Sequence, residues 1–92
     1  MASKTISNTA QQVVPSRARS ALILQNRGSA EIFLGPAGVT AGGGPDAGIG
    51  IAPGATMSLT DLPGDSGRAI HAPIYAVTAT GSAELRYWEV IV

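Results

Sequence analysis

The chain of 92 residues contains no cysteine, one histidine, one tryptophan and only three other aromatic side chains, two tyrosines and one phenylalanine. Without cysteine there is no disulfide framework and no thiolate metal site. A lone His71 has no second nitrogen or sulfur ligand near it in sequence, so a transition-metal site and any other bound cofactor are not expected. Charge is scarce as well. Charged residues make up 13% of the chain, six basic and six acidic, for a formal net charge of zero; a typical soluble domain carries about twice that fraction. This balance argues against a nucleic-acid partner, which usually leaves a basic footprint. It also removes the self-repulsion that keeps free monomers apart. Hydrophobic residues reach 45%, yet no apolar run approaches the ~18 residues of a membrane span. The first fifteen residues are polar and lack the apolar stretch of a secretory signal. Folding in a cytoplasm, with no membrane partner, is the expectation.

Glycine and proline are abundant, 12 and 6 residues, and they punctuate short apolar runs at the spacing of strands and turns. Ser20–Gln25 and Ala30–Leu34 flank Asn26-Arg-Gly28-Ser and read as a β-hairpin with Gly28 near its tip. Residues 36–48, with three consecutive glycines and Pro45, form the longest loop before a brief strand, Ile49–Ile51. Pro53-Gly54 suits the two corners of a β-turn. Ala55–Thr60 alternates strictly, Met57 and Leu59 on one face and Thr56, Ser58 and Thr60 on the other, the period of a half-buried strand. Pro73–Ala79 and Ala83–Ile91 complete the set. The last is apolar on both faces, with Tyr87 and Trp88 on opposite sides, which calls for a central place in a sandwich or for cover by another subunit. The sum is an all-β fold of six to seven short strands, a small sandwich or compact barrel of jelly-roll-like character. Residues 17–92 form the domain and residues 1–16 an extended N-terminal arm, with strands at 5–7 or 11–14 as a further option.

A chain this short buries roughly 60% of its surface, and its hydrophobic gain and ordering cost nearly cancel. Added partners or oligomerisation, most simply a trimer, would stabilise it. The arm is expected to order on a neighbour by strand addition through the β-formers Thr5, Ile6, Val13 and Val14. Arg17 and Arg19 are expected to pair with acids on that partner. With Tyr87 and Trp88, the interface set is Ile6, Val13, Val14, Arg17, Arg19, Tyr87 and Trp88.

No motif reads as an active site, and the chain is not expected to be an enzyme. Gly64-Asp-Ser-Gly67 copies the nucleophile surroundings of trypsin-like proteases in four letters. That chemistry needs a His, an Asp and oxyanion donors on a far larger double barrel, and Gly, Asp and Ser are ordinary turn residues. The glycines at 42–44, 48, 50 and 54 lack the Lys-Ser/Thr of a P-loop and the spacing of a dinucleotide fingerprint. Asp46, Asp61 and Asp65 sit in loops, where calcium would need two to converge. Glu31, Glu84 and Glu89 lie in strands and suit solvated faces or salt bridges better than a paired-carboxylate cleft.

Three segments in order carry a resemblance. They are Arg19-Ser-Ala-Leu-Ile-Leu-Gln-Asn-Arg-Gly-Ser with Ala30-Glu-Ile-Phe-Leu-Gly, then Ile49-Gly-Ile-Ala-Pro-Gly-Ala-Thr-Met-Ser-Leu, then Pro73 through Glu89. Together, over about residues 17–90, they resemble small β-sandwich virion structural proteins of tailed bacteriophages, of the capsid decoration or head-fibre type. The glycine-rich stretch 41–48 departs from that pattern. The resemblance implies a non-enzymatic virion part, first a capsid decoration (cement) protein that binds the major capsid protein and stabilises the assembled head. The alternatives are a tail, head-fibre or adaptor subunit and, from another class, a carbohydrate-binding host-adhesion module.

Overall fold

A computed structural model describes residues 2–16, 19–42, 44–60 and 73–91. Among these, eight strands form: β1 (Ala2–Ile6), β2 (Gln11–Val14), β3 (Arg19–Asn26), β4 (Ile32–Gly35), β5 (Ile49–Ile51), β6 (Thr56–Thr60), β7 (Ile74–Thr78) and β8 (Ala83–Ile91). They make two antiparallel four-stranded sheets packed as a sandwich, ordered β1-β8-β3-β6 and β2-β7-β4-β5. Neither sheet closes into a barrel.

The order has a simple origin. The pairs β1·β8, β2·β7, β3·β6 and β4·β5 are those of one long antiparallel ribbon whose tip is the segment 36–48. Folding that ribbon over itself adds the pairs β3·β8 and β4·β7 and divides the strands between two layers. This is the jelly-roll arrangement, which buries one face of each layer in the other.

Period-2 alternation decides what is buried. Leu22 and Leu24 of β3, Leu85 of β8 and Ile6 of β1 point inward from the first sheet at 0% exposure. Ile32 and Leu34 of β4, Ile51 of β5, Ala76 of β7 and Val13 and Val14 of β2 meet them from the second. Each such aliphatic side chain contributes about 1.5–3 kcal/mol relative to exposure. Met57, Leu59 and Tyr87 pack against this core from half-buried positions.

Two turns show how local chemistry sets the path. Ala55 N donates to Ala52 O at 3.0 Å across Pro53-Gly54, and Gly54 has φ of 81°, so this is a type II turn with proline and glycine at its two corners. The turn after β3 is different from the expected hairpin. β3 pairs with β6 and β8, whereas β4 lies in the opposite sheet, so residues 27–31 cross between layers. Asn26 fixes the crossing. Its fully buried amide donates to Ala30 O at 2.8 Å and to Ile51 O at 2.9 Å, and its Oδ1 accepts from Gly28 N at 2.9 Å. Gly28 is required there because a Cβ would lie 2.5 Å from the Ala83 Cβ. Every hydrogen bond of this buried amide links the first sheet to the second or to the turn, which a flat hairpin could not satisfy.

The N-terminal segment also departs from expectation. It is not an arm awaiting a neighbour: β1 pairs with β8 and β2 with β7, so residues 2–14 supply one edge strand to each sheet. The reason is apolar burial at its inner positions, Ile6, Val13 and Val14, while Ala2 to Thr5 stay exposed along the sheet edge.

Candidate functional site

The seven residues expected at an interface separate sharply. Ile6, Val13 and Val14 are at 0%, 5% and 1% exposure inside the chain's own core. Tyr87 is half-buried against that core. Arg19, expected to reach a partner, is fully buried and pairs within the chain: its Nε lies 3.0 Å from Glu89 Oε1, and its Nη2 donates to Pro15 O. Arg17 lies outside the described residues. Trp88 alone of the set is open, at 54% exposure.

Trp88 projects from the outer face of the sheet β1-β8-β3-β6, and the register places its neighbours in rows across the strands. One row is Ser58, Ile23 and Trp88; the next, two residues along, is Ala21 and Val90. On the other side runs a polar row, Thr56, Gln25, Arg86 and Ser3. Rows on one face of a strand are about 7 Å apart. At the boundary between the apolar and polar rows lies a shallow cleft of about 210 Å³ lined by Ile23, Gln25, Thr56, Arg86 and Trp88. Gln25 Nε2 donates to Thr56 Oγ1 at 3.3 Å, and Arg86 Nε lies 3.3 Å from Glu84 Oε2.

The sequence matches no protein-family model, no curated protein and no solved structure.

A second cleft, of about 410 Å³, lies where the ribbon tip returns to the body, lined among others by Ala10, Val39, Thr40, Ala41 and Val77. Val39 and Val77 are buried, at 4% and 5% exposure, away from the main core. The tip is tied by its own backbone: Thr40 N donates to Asp46 O at 2.9 Å, and Gly48 N donates to Thr40 O at 3.0 Å. Val39 packs where a Gly35 Cβ would point, on the outer face of the second sheet.

The remaining chemical candidates are dispersed. Asp46 is exposed in the ribbon tip, and Glu31 is exposed beside Gly50. Glu84 and Glu89 are engaged with Arg86 and Arg19. Among the described residues no three metal-capable side chains gather. Asp61, Gly64-Asp65-Ser66-Gly67 and His71 lie outside the described residues. The cleft beside Trp88 was signalled in the sequence only by the position of Trp88. Gln25 and Thr56 gave no sign, because their meeting depends on the pairing of β3 with β6.

Proposed function

We propose that the chain is a non-enzymatic structural protein of a tailed-phage virion, acting as a capsid decoration protein on the major capsid protein of the assembled head. The observation that carries this reading is the strand order, a complete eight-stranded jelly roll in 92 residues. This architecture serves viral capsid and lectin domains. The three segments that resemble small virion proteins fall on its joints: Asn26 and Gly28 at the crossing, Pro53-Gly54 at the type II turn, and Gly81, with φ of 68°, before β8.

The mechanism is thermodynamic. A part that binds the assembled shell better than its free subunits stabilises the shell by mass action. Low charge leaves no long-range repulsion to oppose dense packing of many copies. Self-association as a trimer adds contact area to a domain of small intrinsic stability. The chain then folds in the host cytoplasm and works in the virion.

The test is the protein content of purified particles, by quantitative mass spectrometry. Hundreds of copies per particle support shell decoration. A handful assigns the chain to tail, fibre or portal. Absence from washed particles overturns the virion reading.

A further inference from the structure

Trp88 is the single tryptophan of the chain, and it stands 54% exposed at the boundary between an apolar and a polar half of one sheet face. A ligand that fits must share that division: an apolar face to lie on the indole and Ile23, and an edge of hydrogen-bonding groups toward Gln25, Thr56 and Arg86. A pyranose ring has this form, with axial C–H groups presenting a hydrophobic face and hydroxyls around the rim. We propose that the cleft on the outer face of the β1-β8-β3-β6 sheet is a binding site for a neutral saccharide, stacked on Trp88 and oriented by Gln25 and Thr56.

Three features favour this occupant. The indole offers a rigid apolar plane whose negative face attracts polarised C–H groups. Gln25 makes one side-chain hydrogen bond, to Thr56, from an amide that can make about four, so it can donate to one hydroxyl and accept from another. The charge matches a neutral ligand: the one cation at the cleft, Arg86, lies against Glu84, so the site presents an opposed pair and not a bare positive centre for an anion. A single-stranded nucleic acid would need a basic groove with successive stacking platforms, whereas the face carries one aromatic ring on a chain of zero net charge. The proposal stands on the cleft alone and does not depend on the virion reading.

A single ring of about 12 non-hydrogen atoms, bound at the ligand efficiency of ordinary small molecules, gives a Kd of about 1 mM. With one tryptophan in the chain, emission excited at the red edge of indole absorption, where the two tyrosines do not absorb, reports on this cleft. The experiment titrates the full chain with the methyl glycosides of glucose, galactose, mannose and N-acetylglucosamine and with their short oligomers. A saturable emission change is expected for at least one of them. It should weaken about fivefold in Gln25→Ala, the equivalent of one hydrogen bond. Calorimetry should show binding lost in Trp88→Ala, with the melting temperature of both variants close to that of the parent. No saturable change at about 100 mM, a hundredfold above the expected Kd, overturns the proposal. So does binding that is indifferent to both substitutions. Emission that shifts on dilution without sugar also overturns it, since a second copy of the chain would then be covering Trp88.

Discussion

The outer faces of the two sheets are treated differently by the same chain. On the sheet β2-β7-β4-β5, the ribbon tip folds back, and Val39 and Val77 are buried outside the main core. On the sheet β1-β8-β3-β6, Trp88 and Val90 remain 54% and 37% exposed beside half-buried Ile23. Small domains expose scattered apolar residues as a matter of course, but Trp88 with Ile23 beside it and Ala21 and Val90 in the next row is a contiguous patch, and such patches mark contact sites. The chain spends residues 36–48 on covering one outer face and leaves the other open. That contrast separates apolar surface used for folding from apolar surface held for something else.

The largest test of the contrast concerns what folding uses. Removing residues 2–14 takes an edge strand from each sheet and three core side chains, Ile6, Val13 and Val14. At about 1.5–3 kcal/mol for each buried side chain, the loss is about 5–9 kcal/mol, comparable to the whole stability of a small domain. The truncated chain is expected to lose its cooperative thermal transition in circular dichroism. A sharp transition near that of the full chain would show the two strands to be dispensable, as a separate arm would be.

The ion pair at the end of β8 gives the next effect. Arg19→Met removes the Arg19 guanidinium from Glu89, which is only 14% exposed. Breaking a buried pair from one side costs about 3–5 kcal/mol; the residual exposure of Glu89 places this case near the lower figure. The double variant Arg19→Met with Glu89→Leu should recover much of that loss, because two apolar side chains restore packing without an unpaired charge. Urea denaturation of the two variants measures both. Equal stability of the single variant and the parent would mean that the pair is held open to water.

Much of the fold is legible in the sequence. The alternation at Ala55–Thr60, the Pro53-Gly54 turn and the span of β8 follow from local rules: side chains alternate, proline fixes φ, glycine accepts positive φ. The misread pieces share a cause. Asn26-Arg-Gly28 has hairpin composition, yet Asn26 bonds to Ile51 O, 25 residues away, and that distant carbonyl decides the crossing. Ala2–Thr5 is polar because an edge strand faces water, so its composition imitates a loose terminus. Arg19 looked available because arginine usually is; its partner Glu89 lies 70 residues on. Of the interface set, Ile6, Val13 and Val14 enter the core through strand pairings distant in sequence, whereas the alternation of β8 already puts Tyr87 and Trp88 on opposite faces and the pairing decides that Tyr87 is the one turned to the core.

The smallest effect is the sharpest test of the comparison. Trp88→Ser removes the largest exposed side chain of the open face while leaving the inner face of β8 untouched. Trp88 lies opposite Ile23 across the strands, and such cross-strand pairs contribute about 0.2–1 kcal/mol. The variant should therefore lose less than about 1 kcal/mol, a shift of roughly 4–8 °C or less for a domain of this size. The matching substitution on the covered face, Val39→Ser, places a hydroxyl in a site at 4% exposure. It loses apolar burial and cross-loop packing, and should cost about 1–3 kcal/mol by the usual penalty for a buried polar group. The prediction is the ranking: Val39→Ser melts below Trp88→Ser, although it removes far fewer atoms. If Trp88→Ser proves the more destabilising, the open face is part of the folding core's support, and the distinction between the two outer faces fails.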